Sequence, residues 1–266
     1  MSLYRQAFNL GMQRAMRYRA NFFMGFFSFI FPLLIQYFLW ISVFRSSSDD
    51  IVLGYSLPQI LSYSVFAVIT GRIVASNFIF EVNDEIKQGG LSKYLVKPMR
   101  YLPYRACCFL GEKVVAIILS LGIVLFVSFG VNFLWRGTID YFNIVYYVIS
   151  LCLSIILNFL MFYSICGMGF WTRDASGAVF IITVVGNLLS GGVFPIDIFS
   201  EEIQSVLKIL PFSYTNFFPV SILCGRTEYH DIVQGMMFQI IWIVILYLVS
   251  EIVWGIGLKK YVSVGG

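Results

Sequence analysis

Two ionisable residues, Arg72 and Glu251, interrupt long apolar runs. A charge placed in hydrocarbon costs at least about 2.5 kcal/mol on insertion scales, so such residues tend to be paired or functional. Arg72 stands nine residues before Glu81, and Glu251 eight before Lys259. At about 1.5 Å per residue both lie roughly 12 to 14 Å above the same kind of boundary. The matching depth predicts an ion pair between Arg72 and Glu251, within one chain or across a dimer. Its simplest use is to fix helix packing; a place on a substrate path or in a gate is the other.

The remaining chemistry is sparse. The single His230 has no Cys or His neighbours at metal-ligand spacing and is expected as a surface histidine, so no metal is assigned. Of the five cysteines, Cys107, Cys108, Cys152 and Cys166 fall in or beside apolar runs and Cys224 lies apart, a pattern that implies no disulfide framework. No Gly-Lys dipeptide occurs, hence no phosphate loop of the G-x-x-x-x-G-K-[ST] type. No Asp stands inside an apolar run, so a membrane-embedded transferase or protease lacks its constellation. An ion-coupled secondary transporter would call for inverted repeats and several midplane carboxylates, and neither is visible.

The elements that must carry these residues are helices in a bilayer. The chain has 266 residues, 59% of them hydrophobic and only 12% charged, where soluble domains run to about 25% charged. It is read as an all-α integral membrane protein, one permease-sized domain over 1–266. Crossing a core of roughly 30 Å takes about 20 apolar residues. Six runs qualify: Phe22–Phe44, Ile60–Phe80, Val114–Leu134, Ile144–Phe170, Ala178–Phe194 and Met236–Leu258. The first is preceded by about twenty polar and basic residues, unlike a cleavable signal, and is expected to stay. With the N terminus inside, thirteen Lys and Arg fall on the cytosolic side and four outside, with Arg72 completing the eighteen. The positive-inside rule then predicts two cytosolic termini.

Three stretches lie outside the spans. Residues 1–21 place Leu3, Ala7, Leu10 and Met12 near one another on a helix, with Arg5, Arg14, Arg17 and Arg19 at the margins, which predicts an interfacial helix. Its alternative is a basic anchor for the first span. Residues 81–105, between spans two and three, begin with a short helix from Val82 to Gln88, acidic early and basic late. Gly89-Gly90 supplies a left-handed stop. Leu91, Tyr94 and Leu95 then recur at helical spacing until Lys97-Pro98, because the residue before proline leaves helical geometry. Residues 195–231, between spans five and six, hold a helix capped by Ser200, with Ile203, Val206, Leu207 and Leu210 on one face and closed by Pro211. A second piece, Val220–Cys224, is too short to cross. Both are expected as outer, re-entrant helices, whose irregular backbone survives only where protein or water satisfies it.

Two of these stretches carry a family resemblance. EIKQGGLSKYLVKP, from Glu85 to Pro98, looks like the coupling-helix region of an ABC-2 type transporter permease, and SGGVFPIDIFSEEIQSVLKILPFSYTNFFP, from Ser190 to Pro219, is similar to its outer re-entrant helices. The resemblance covers nearly the whole chain. It implies a non-catalytic membrane subunit that pairs with an identical or related second permease. The partner ATPase subunits would hold ATP and magnesium, so this chain needs no cofactor of its own. It further implies a multi-pass protein of a bacterial plasma membrane that exports an amphipathic or lipidic substrate, a drug or a peptide, with membrane lipids but no nucleic acid as further contacts. Carried over residue by residue, the ATPase-coupling positions are Asp84, Glu85, Ile86, Gly89, Leu91 and Leu95.

Overall fold

The six apolar runs coincide largely with helices in the computed structural model, which describes residues 2–17, 19–76, 78–135, 141–172 and 176–261, although the fifth leaves its helix after Leu189, short of the expected Phe194. Arg136 and Arg173, used above to set orientation, lie outside the described residues. The chain opens with α1 (Ser2–Arg17) and α2 (Arg19–Ser46), followed by a minimal antiparallel hairpin of β1 (Ile51–Val52) and β2 (Tyr55–Ser56). Next come α3 (Leu57–Val74), α4 (Phe78–Lys87), α5 (Ser92–Leu95), α6 (Tyr101–Trp135), α7 (Tyr141–Cys166) and α8 (Ser176–Leu189). Two short helices, α9 (Glu201–Ile209) and α10 (Phe217–Leu223), lead into α11 (Tyr229–Lys260).

Among the described residues three helical stretches are long and apolar enough to cross a membrane: Leu57–Lys87, Phe142–Phe170 and Tyr229–Lys260. Shorter apolar helices cover Ile30–Ser46 and Val179–Leu189. The protein is therefore an all-α membrane protein. Helix α7 is its hub, contacting α3, α4, α10 and α11, and its Tyr147, Leu151, Ile155 and Tyr163 are almost completely buried.

The second run departs from expectation. It is not continuous over Ile60–Phe80 but breaks at Ala75 and Ser76, and α4 starts upstream of the expected Val82. A break in a helix frees backbone carbonyls, which apolar surroundings do not tolerate unpaired. Side chains from neighbouring helices take them: Asn158 Nδ2 donates to the Val74 carbonyl at 2.7 Å, and Lys113 Nζ to that of Ala75 at 2.5 Å.

Helix α1 also differs from a free interfacial helix. It docks along α6, with Ala7 buried at the contact. Gly11 stands against the Cys108 carbonyl and Gly111 against that of Phe8, where any Cβ would collide with backbone. Close approach through small residues is how helices associate without a hydrophobic drive between them. Leu10 and Met16 remain exposed and available to lipid.

The irregular stretch 210–216 is accommodated because the bundle satisfies its backbone. Gln239, fully buried on α11, donates through Nε2 to the Tyr214 carbonyl at 2.9 Å, and Ser154 Oγ donates to the same oxygen at 2.8 Å. The Phe217 N–H donates to the Ser190 carbonyl at 2.8 Å. Gly191 makes the turn after α8 with φ +78°, and a side chain there would meet Phe217 and the Tyr63 hydroxyl. Pro219 lies inside the first turn of α10, rather than before the helix as expected. A proline there gives up only an N–H that has no partner within the helix.

Candidate functional site

The end of the bundle where Lys and Arg concentrate is organised around two carboxylates on α4. Glu85 Oε1 accepts from the Tyr94 hydroxyl at 2.9 Å and lies 3.2 Å from Lys93 Nζ, while Oε2 accepts from the Tyr101 hydroxyl at 2.8 Å. Glu81 Oε2 accepts from Arg105 at 2.6 Å and from Arg14 of α1 at 3.4 Å. Burial first, and the neighbouring Glu85 charge second, push the Tyr94 hydroxyl up to about 12, so it remains a proton donor at any physiological pH. Gly89 ends α4 in the left-handed region at φ +74°, as the Gly-Gly pair predicts. The chain then folds back so that the Leu91 N–H donates to the Glu85 carbonyl at 3.0 Å.

This hairpin-like unit is tied to the long helices by aromatic rings. Tyr101 stacks on Trp254 of α11 with centroids 5.1 Å apart, and Trp254 stacks on Tyr163 of α7 at 4.4 Å and 8°. Trp254 Nε1 donates to the Tyr163 carbonyl at 2.9 Å. The start of α6 is thereby packed against α7 and α11 through close-packed rings, which resist independent movement.

The six carried-over positions divide. Asp84 and Leu95 are exposed, whereas Ile86 and Leu91 are buried against the bundle and Glu85 is bound internally. Only Asp84 and Leu95, with the neighbouring Val96 at 82% exposure, offer side chains to a partner. The expected pair of Arg72 with Glu251 is not the one formed within the chain. Glu251 Oε2 accepts from Arg100 at 2.7 Å instead. Lys97-Pro98 turns the chain so that Arg100 reaches the basic end of α11, which depth reasoning along single helices could not foresee. Arg72 lines a separate cavity.

That cavity, of about 530 Å³, lies between α2, α3, α7, α8 and the 215–216 stretch. Beyond it, at the opposite end of the bundle, Asp197 accepts from the Tyr55 hydroxyl at 2.6 and 2.8 Å. Arg226 donates to Asp197 at 3.2 Å and to the Gly54 carbonyl at 3.2 Å, its guanidinium 3.7 Å from the Tyr55 ring centroid. Burial, reinforced by Asp197, raises the Tyr55 hydroxyl far above its ordinary range. His230 is exposed at the start of α11 beside Asp231. Sequence reasoning missed Gln36, Asn158, Asn216 and Gln239. The available signal was an uncharged amide in or beside an apolar helix, which needs a partner as much as a charge does.

A bundle of long apolar helices with a polar, aromatic-anchored segment at its basic end defines a helical membrane protein. The chain belongs to the ABC-2 family of transporters, whose family model matches residues 29–265. A comparison with curated proteins found no match. It is accordingly the membrane-embedded part of an ABC transporter, a class that works with an ATPase subunit.

Proposed function

We propose that the chain is the permease of an ATP-driven exporter for an amphipathic or lipidic substrate, with 81–105 as the segment that receives the ATPase stroke. The observation that carries this is exposed apolar surface where no lipid is expected. Leu95 at 45% and Val96 at 82% exposure stand between Lys93 and Lys97 at the end of α5, outside the apolar runs, in the same segment as the exposed Asp84 of α4. Apolar surface rimmed by charge marks a protein contact.

In this reading six helices span the membrane, α9 and α10 are outer re-entrant elements, and both termini face the cytosol. A second copy or a related permease completes the dimer. ATP and magnesium are held by the partner ATPases. The family's usual setting, a bacterial plasma membrane, is carried over with it. Co-purification with the nucleotide-binding subunit, followed by a vanadate-sensitive ATPase assay, tests the assignment. Asp84→Lys with Val96→Asp should abolish co-purification while leaving the thermal unfolding of the permease unchanged. Undiminished association and ATPase stimulation would refute the contact surface.

A further inference from the structure

Helices α6 and α11 both lie against α7, the first through the Phe109 and Phe159 rings at 5.2 Å, the second through the stack of Trp254 on Tyr163. They leave a slot between them. Its volume is about 410 Å³, its walls present no polar surface, and Phe109 and Phe159 lie buried beneath it. Leu110, Ile156, Val244 and Tyr247 stand exposed around it. Both α7 and α11 belong to stretches long and apolar enough to cross a membrane, so the slot opens to hydrocarbon. Left empty it would forfeit dispersion contacts along its walls, and water has no hydrogen-bond partner to hold it there.

The dimensions say what fills it. A helix with its side chains is about 10–12 Å across, so a space of about 410 Å³ holds no more than roughly one turn. A helix of a second copy is too wide to seat there, whereas a fatty acyl chain is narrow and flexible enough. The charge at one end says what that chain carries. The slot runs along α11 through Ile243, Val244 and Tyr247, with Glu251 one turn further on, and along α6 back to Leu102, two residues after Arg100. There Arg100 donates to Glu251 Oε2 at 2.7 Å, with its side chain 67% exposed. A guanidinium has five N–H donors in a fixed fork, and Glu251 Oε2 is its acceptor among the described residues. Donors remain in the exposed part of the fork, and arginine forks suit phosphate. Because Glu251 balances the charge, the contact favours hydrogen bonding to a phosphate over net negative charge, which a zwitterionic phospholipid satisfies.

We propose that this slot holds one fatty acyl chain of a membrane phospholipid whose phosphate is bound by Arg100. The lipid is a resident of the bundle's wall and is distinct from the exporter's cargo. The test uses the full chain, delipidated in dodecyl maltoside without ATP or ATPase, with bound lipids counted by native mass spectrometry. Dioleoyl phosphatidylcholine should bind with one tight site per chain. Dioleoylglycerol, which has the same chains and no phosphate, should bind about tenfold more weakly, the scale of one charge-assisted hydrogen bond. Glycerophosphocholine, the head without chains, should not bind measurably; affinity equal to that of the whole lipid would overturn the slot as the site.

Ala106 lines the slot, and Ala106→Phe should fill it and weaken phosphatidylcholine binding about tenfold or more, as loss of two or more buried methylenes would. If that variant does not fold, Val244→Trp obstructs the slot from its exposed rim and gives the same readout. Arg100→Gln with Glu251→Gln removes the ion pair without stranding a charge. It should bring phosphatidylcholine down to the affinity of dioleoylglycerol and leave dioleoylglycerol binding in place. Equal binding of the two lipids by the unaltered chain, or a preference untouched by the double change, would overturn the role of Arg100. Phosphatidylcholine binding that survives a folded slot variant would overturn the site. A lipid-free dimer that Ala106→Phe breaks would name a second copy as the occupant and overturn the lipid.

Discussion

Both ends of the bundle close on a carboxylate held by tyrosine hydroxyls, but they reach that arrangement by different routes. At the basic end Glu85 takes hydroxyls from Tyr94 and Tyr101, nine and sixteen residues away in sequence. At the opposite end Asp197 is bound by Tyr55, 142 residues away, and by Arg226, 29 residues away. A knot of near neighbours closes with little loop entropy and holds its shape when its surroundings move. A knot of distant segments exists only while those segments keep their relative positions. The first has the character of a rigid handle, the second that of a clasp between distant segments.

On the proposed coupling role the handle acts through the aromatic column that joins it to the bundle, and the largest effect is expected there. Trp254→Ala should destabilise the chain by about 3–5 kcal/mol, the usual range for removing a buried tryptophan, because Trp254 is 4% exposed and stacks on both Tyr101 and Tyr163. Thermal unfolding in detergent measures the loss, and ATPase stimulation by the remaining folded protein should fall with it. A folded variant with full stimulation would mean that the handle pulls by another route.

Removing the handle's own carboxylate ranks next. Glu85→Ala leaves the Tyr94 and Tyr101 hydroxyls, in residues 8% and 7% exposed, without their acceptor. The expected cost is about 2–4 kcal/mol, from two stranded donors. Glu85→Gln keeps an acceptor oxygen and should recover most of the stability. If glutamine were as damaging as alanine, the charge rather than the hydrogen bonds would hold the knot.

The same contrast explains what could be read from the sequence. The handle was legible because its residues are contiguous: Gly89, the acidic start and basic end of α4, and Lys97-Pro98 each act on the nearest few residues. The helix at 201–209 was legible for the same reason. Asp197, Tyr55 and Arg226 gave no local signal, since an ion pair across 29 residues has no periodicity to betray it. The break at Ala75 was equally silent, because it contains neither proline nor glycine and depends on Asn158 and Lys113 from other helices. Within the chain Glu251 is met by Arg100 instead of Arg72, because reading depth along single helices takes no account of an arginine delivered by the turn at Lys97-Pro98.

The clasp should tolerate damage better than the handle and report it differently. Asp197→Asn keeps one acceptor for Tyr55 but loses the charge that binds Arg226, in a pair about a quarter exposed on each side. A loss of about 1 kcal/mol is expected, smaller than for Glu85→Ala. The distinguishing readout is local: limited proteolysis near residues 224–228 should accelerate while the basic end stays protected. Uniform acceleration along the chain would show that the opposite end is part of one cooperative body and has no clasp of its own.

The smallest effect tests whether α1 belongs to the handle. Arg14 reaches Glu81 at 3.4 Å, with side chains 41% and 55% exposed, whereas Arg105 holds the same carboxylate oxygen at 2.6 Å from a side chain only 4% exposed. A long, exposed contact competing with a short, buried one has little left to contribute. Arg14→Ala should therefore change stability by no more than about 0.5 kcal/mol, with any change shrinking further in high salt. Gly11→Leu, by contrast, cannot be seated against the Cys108 backbone without moving α1 off α6. If Arg14→Ala loosened α1 as much as Gly11→Leu does, judged by cross-linking between the two helices, the attachment would be electrostatic and the glycine crossing incidental. Arg14 unaffected and Gly11 disruptive would make α1 a packed part of the bundle that carries the Glu81 end of the handle with it.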